Sequence, residues 1–160
     1  MAMTKQEFDN FSRDLVLTSD RLGDSFQLIE NNSNLYVKKS ELIMSERDNC
    51  TIVVEYHICF SPSFGSPVIY FIGARANGSK MTLPEIKELC PSFRNCSSEV
   101  ISQNEHPVLG IPYYFLHPCH TAEMLEKLNV TGNKLAAWLS LAAQFVGMPV
   151  NMLPYFQTVV

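Results

Sequence analysis

At 160 residues, 46% hydrophobic and 18% charged, with a formal net charge of −4, the chain has the composition of one globular domain spanning residues 1–160. A chain of this length buries about 70% of the surface its unfolded form would expose, so it needs no disulfide or metal staple. No Arg or Lys run supplies a phosphate-binding patch, which excludes nucleic-acid binding driven by backbone charge and leaves proteins as the expected partners.

Cys50, Cys59, Cys90, Cys96 and Cys119 form an odd set without CxxC spacing, and no N-terminal apolar segment has the form of a secretory signal. A cytoplasmic protein with free thiols and no cofactor is expected. Asn-x-Ser/Thr triplets such as Asn77-Gly78-Ser79 and Asn95-Cys96-Ser97 are then chance occurrences. The longest apolar run, Leu135 to Met148, is interrupted by Ser140 and Gln144. It falls short of the ~20 residues that span a bilayer and reads as a core helix.

In chain order, Thr4-Lys5-Gln6-Glu7 is a capping box, and Phe8, Phe11 and Leu15 follow at helical spacing, predicting an amphipathic helix over 4–17. Phe26 to Glu30, the polar turn Asn31-Asn32-Ser33-Asn34 and Leu35 to Met44 predict a hairpin. Thr51 to Phe60 is β-branched and aromatic, residues 61–66 are turn chemistry, and Pro67 to Ala74 is a second strand, giving another hairpin. Thr82-Leu83-Pro84-Glu85 opens a short helix through Leu89. Residues 90–110 read as loop with a short strand near Val100. The last helix is predicted from Asn133 to Val146, with Leu135, Trp138, Leu139 and Ala142 turned to the sheet and Gly147 closing it. Antiparallel strands with flanking helices make an α+β order.

Between these elements lies Glu105-His106-Pro107-Val108-Leu109-Gly110-Ile111-Pro112-Tyr113-Tyr114-Phe115-Leu116-His117-Pro118-Cys119-His120-Thr121. Residues 111–116 have the composition of a buried strand, and Pro118 ends its pairing one residue before the sulfur. Cys119 is therefore expected at a strand exit, braced by His117-Pro118. A free cysteine is ordinarily a small buried hydrophobe, and the flanking histidines argue against that here.

This block resembles the cysteine-centred conjugating enzymes of autophagy, which carry His-Pro-Cys at the active cysteine. Two further blocks share the resemblance: Glu55-Tyr56-His57-Ile58-Cys59-Phe60-Ser61 running on to Pro67-Val68-Ile69-Tyr70-Phe71, and Trp138-Leu139-Ser140. The resemblance implies a reduced ubiquitin-conjugating-enzyme-like fold. It implies that Cys119 accepts a ubiquitin-like modifier, autophagy-related protein twelve, as a thioester from the activating enzyme, autophagy-related protein seven. The acceptor would be a lysine of the acceptor protein, autophagy-related protein five.

Thioester exchange between thiols is nearly isoenergetic, so a strongly activated cysteine is not required. An unperturbed thiol, with a pKa of about 8.5, already supplies some thiolate. Attack by a lysine with a pKa near ~10.4 is harder: holding it neutral at neutral pH costs roughly 4 to 5 kcal/mol. Aligning bound reactants contributes ~7 to 11 kcal/mol, enough to offset that without a dedicated base. Ubiquitin-conjugating enzymes usually place a His-Pro-Asn upstream for the oxyanion, whereas this chain has His106-Pro107-Val108. The donor stays open among a His117 ring nitrogen, a backbone N–H after Pro118 and the Thr121 hydroxyl. The resemblance also places Tyr56 beside the active loop as a candidate hydroxyl, against its alternative as packing.

Rival readings are a zinc site from His106, His117, Cys119 and His120, and a cysteine hydrolase using His57, His106 or His120 as base. The zinc reading lacks paired chelating spacing, and the hydrolase reading lacks a visible helix N-terminus at the nucleophile. A sibling His-Pro-Cys enzyme acting on a lipid and a purely structural adaptor complete the alternatives.

Overall fold

The computed structural model describes residues 3–45, 49–89 and 100–156. Helix α1 spans Lys5–Leu22, and its predicted capping box is present: Thr4 Oγ1 accepts the Glu7 N–H at 3.1 Å while the Glu7 carboxylate accepts the Thr4 N–H at 2.7 Å. The helix continues past the expected end near residue 17. Thr18-Ser19-Asp20 looks like an ending, but Ser19 faces inward and its Oγ accepts the Phe26 N–H at 3.0 Å, so Gly23, at φ 71°, closes the helix instead.

Strands β1 (Gln27–Asn31) and β2 (Asn34–Ser45) meet at a tighter turn than the linker expected over 31–34. Asn32 and Ser33, at φ 45° and 72°, take the left-handed conformations that match the twist of a two-residue hairpin, so pairing extends to Asn31↔Asn34. β3 (Cys50–Ser61) and β4 (Ser66–Arg75) form the second hairpin, as its β-branched and aromatic content predicts. Helix α2 (Leu83–Leu89) follows, packed close to β4 at Gly73, where an added Cβ would meet Ile86 Cδ1 at 3.4 Å.

β5 (Ile101–Glu105) and β6 (Pro112–Leu116) complete an antiparallel sheet of order β1-β2-β3-β4-β6-β5. The short strand expected near Val100 is β5, which begins one residue later and runs to Glu105, while the part of the expected loop over 90–99 lies outside the described residues. Helix α3 (Pro118–Lys127), which the sequence did not suggest, begins directly after β6. The helix predicted over 133–146 is α4 (Lys134–Ala142), capped by Asn133 and continued as a 3-10 turn over Ala143–Val146 that Gly147, at φ 64°, ends. A short α5 covers Leu153–Phe156.

The period of two along the strands sorts the sheet into two faces. Val37, Ile52, Val54, Tyr56, Ile58, Ile69 and Phe71 point to one side and form the main core with Phe8 and Leu15 of α1 and with Leu135, Trp138, Leu139 and Ala142 of α4. Trp138 is fully buried, as its place on the sheet-facing side predicts. Tyr36, Cys59, Val68, Tyr70 and Tyr113 gather on the opposite face as a second cluster. Lys39, on the main-core side of β2, is paired there with Asp24, whose Oδ1 accepts from Nζ at 2.7 Å, and the Tyr155 hydroxyl donates to Asp24 Oδ2 at 2.7 Å.

Candidate active site

β6 delivers the candidate nucleophile. Its last residue, Leu116, is buried and paired with Ile101 of β5, and the next residue, His117, donates its backbone N–H to the Val100 carbonyl at 2.7 Å. The chain then turns directly into α3. His117 is the N-cap: its Nδ1 accepts the Cys119 N–H at 3.3 Å, and Pro118 occupies the first turn, where a missing N–H costs nothing. Cys119 is exposed, whereas Cys59 is buried and Cys50 is partly covered.

A strand exit for Cys119 is what the apolar run before Pro118 predicts. The helix N-terminus at the thiol is a correction, since the sequence pattern around Cys119 makes none evident. The signal was present in Pro118 behind a residue able to cap. A helix start matters chemically because its positive end stabilises negative charge developing beside it, which is what a tetrahedral oxyanion on a Cys119 acyl group would carry.

The other nominated residues fall in different places. The His117 ring packs edge-on to Phe64, 6.0 Å between centroids, and tilted against Phe115 at 5.9 Å, so an aromatic pair fixes the imidazole that caps the thiol's helix. The Thr121 hydroxyl is buried and donates to the Pro118 carbonyl at 3.4 Å, serving the helix's first turn. The His120 side chain lies outside the described residues. Tyr56 is on β3, with β4 between it and β6, so the sheet order does not set it beside the active loop. Its buried hydroxyl donates to the Val146 carbonyl at 2.8 Å.

His57 and His106, considered as hydrolase bases, are buried on the opposite face of the sheet, where His57 Nδ1 and His106 Nε2 are 2.9 Å apart. The zinc arrangement would require His106 beside His117. His106 is instead packed among Tyr36, His57, Tyr70 and Tyr113, and among the described residues no group of three or more His, Cys, Asp or Glu side chains converges on a metal position.

A six-stranded antiparallel sheet, helices packed on one face and an exposed cysteine at the start of a helix define an α+β protein of the ubiquitin-conjugating-like class. The fold matches a solved structure described as the crystal structure of autophagic E2, Atg10, with a TM-score of 0.61 at 16% identity, covering 92% of this chain and 98% of that one. Residues 4–151 match the family described as "Autophagocytosis associated protein, active-site domain", and the chain belongs to that family. It is 34% identical over 120 residues to the ubiquitin-like-conjugating enzyme ATG10 of Homo sapiens, covering 68% of this chain and 54% of that protein. It is 30% identical over 132 residues to the protein of the same name from Arabidopsis thaliana, covering 70% and 57%. The chain thus spans about half the length of these curated relatives.

Proposed function

We propose that this protein is a ubiquitin-like-conjugating enzyme of autophagy that carries its modifier as a thioester on Cys119. The observation that supports this most is the exposed thiol in the first turn of α3, capped by His117, in a chain of this family. In loading, the Cys119 thiolate attacks the thioester carbonyl on the activating enzyme. A new C–S bond forms, and the activating enzyme's sulfur leaves as thiolate. In discharge, a neutral amine attacks the Cys119 thioester, the C–N bond forms, Cys119 leaves as thiolate, and the amine's proton passes to solvent.

The reading assigns autophagy-related protein seven as activating enzyme, autophagy-related protein twelve as modifier and a lysine of autophagy-related protein five as acceptor, in the cytoplasm. The resemblance of the His-Pro-Cys block supports these partners, and the names of the relatives support the coarser reading of a ubiquitin-like-conjugating enzyme. Among the described residues no helix is long and apolar enough to cross a membrane.

Within this reading Cys119 is the nucleophile, His117 positions it by capping α3, and the N–H groups of that first turn stabilise the oxyanion. Tyr56 contributes at one remove, by fastening the turn over Ala143–Val146 to the sheet. Reconstitution with the activating enzyme and modifier, read on non-reducing gels, tests it. A thiol-sensitive band is expected with the natural chain, none with Cys119→Ala, and a slower oxyester with Cys119→Ser. A thioester retained by Cys119→Ala sinks the assignment.

A further inference from the structure

Glu55, His57 and His106 form a continuous hydrogen-bond chain on the face of the sheet opposite the main core. Glu55 Oε1 lies 2.6 Å from His57 Nε2, and His57 Nδ1 lies 2.9 Å from His106 Nε2. At the far end, His106 Nδ1 accepts the backbone N–H groups of Val108 and Leu109, each at 3.1 Å. Both rings are buried, His57 at 1% and His106 at 0% exposure.

The network assigns every ring proton. Backbone N–H groups only donate, so His106 Nδ1 carries no proton, and the neutral ring holds its proton on Nε2. That N–H donates to His57 Nδ1. His57 therefore keeps its own proton on Nε2, directed at the Glu55 carboxylate. One tautomer of each ring satisfies the whole chain.

This chain acts where strand pairing is thin. β6 pairs with β4 at Tyr70↔Phe115 and Phe71↔Tyr114, whereas it pairs with β5 from Ile101↔Leu116 to Glu105↔Pro112. β5 is the sheet's edge, so the β5–β6 hairpin hangs on β4 near its Leu116 end. Its turn is closed on itself by His106 N–H to Ile111 O at 2.8 Å and Gly110 N–H to His106 O at 2.9 Å. The His57–His106 bond reaches over β4 and ties that turn to β3.

We propose that Glu55, His57 and His106 are a latch that holds the turn of the β5–β6 hairpin on the sheet while the rings keep these tautomers, and frees it when His106 gains a proton. An added proton finds no acceptor in this arrangement. On His106 Nδ1 it would face two amide donors, and on His57 Nδ1 it would face the His106 N–H. Burial pushes His106 down from 6.5 to about 4, the neighbouring His57 acts in the same direction, and Glu55 opposes both.

The other titratable groups facing the latch are Tyr36, Tyr70, Tyr113, Cys59, Glu55 and Lys38. Burial raises the hydroxyls of Tyr36, Tyr70 and Tyr113 and the thiol of Cys59, whose Sγ is 3.7 Å from His106 Nε2. The hydrogen bond from His57 holds the Glu55 carboxyl below its ordinary value despite burial, and Lys38 Nζ stands 3.6 Å from it. Because β6 runs on into His117 and Cys119, the latch also steadies the strand that presents the thiol. Its geometry does not depend on what that thiol carries.

Two measurements on the full chain test the latch. Nitrogen-15 NMR of the imidazoles at about pH 7 is expected to find the Nε2–H tautomer at both His57 and His106. An Nδ1–H tautomer or an imidazolium at either position overturns the proposal. Amide hydrogen exchange, normalised to unstructured rates, is then followed down to about pH 4: Val108 and Leu109 are expected to lose protection by about tenfold or more while β3 and β4 amides keep theirs. Unchanged protection of Val108 and Leu109, or equal loss throughout β3 and β4, overturns it. His106→Asn supplies an oxygen that accepts the same two amides without titrating, so it is expected to make their protection independent of pH. A variant that follows the natural chain counts against the latch, and if it does not fold, the tautomer and exchange readings of the natural chain decide.

Discussion

Tyr56 and Val146 are joined by a buried hydrogen bond of 2.8 Å, hydroxyl to carbonyl, that fastens the 3-10 turn after α4 to the central strand of the sheet. Tyr56→Phe keeps the ring and removes the donor, leaving the Val146 carbonyl short of a partner at a cost of about 1 to 3 kcal/mol. Denaturant melts should show that loss, with loading of Cys119 in folded protein unchanged and discharge slowed only as far as the folded fraction falls. Slower discharge from fully folded Tyr56→Phe would return the hydroxyl to the chemistry.

His117→Ala removes the α3 cap and is expected to cost about 0.5 to 2 kcal/mol, while slowing discharge more than loading. His117→Asn is the informative partner, because asparagine caps a helix well and does not titrate near neutrality. If His117 acts by capping, Asn restores discharge to within a few-fold of the natural chain. If Asn discharges as slowly as Ala, the imidazole itself takes part.

Trp138 fills the core with no exposed surface, yet its Nε1 finds no acceptor among the described residues. Trp138→Ala should therefore cost ~3 to 5 kcal/mol, whereas Trp138→Phe keeps much of the buried area and removes an unpaired donor, which offsets part of the loss. Urea midpoints that fall equally for both variants would show that the indole N–H has a partner after all.

The features that were legible in the chain are local ones. The capping box at Thr4, the hairpin from Cys50 to Arg75, the core helix around Trp138 and the exit of Cys119 from an apolar strand all depend on neighbours a few residues apart. β5 is legible as the short strand near Val100, but not its extent, because Ser102-Gln103-Asn104-Glu105 is polar and exposed, as an edge strand can be. α3 went unpredicted because His-Pro-Cys also reads as a turn, so the helix-start signal in Pro118 behind His117 was outweighed. The resemblance sets Tyr56 beside the active loop, and no local pattern checks that placement, because strand order is not written in strand composition. The meeting of His57 with His106 is of the same kind: it rests on β5 and β6 lying beyond β4, a long-range arrangement that no spacing announces.

Acid should destabilise this protein in two stages with separate owners. His106, pushed from 6.5 to about 4, binds fewer protons folded than unfolded, so its contribution is complete above pH 6.5 and drains away as pH falls to 4. Asp24 behaves as a carboxylate with the same sign but a lower window: burial raises it, hydrogen bonds from Lys39 and Tyr155 outweigh that, and its contribution, present above its ordinary 3.8, is lost as pH falls through the lowered value. Urea midpoints followed from neutral pH downward should decline first in the histidine window and again in the carboxylate one. His106→Asn is expected to flatten the first decline. Asp24→Asn should leave that decline in place while lowering stability at neutral pH, because it leaves the nearly buried Lys39 without its closest counter-charge. A first decline that survives His106→Asn would assign it to another titrating group.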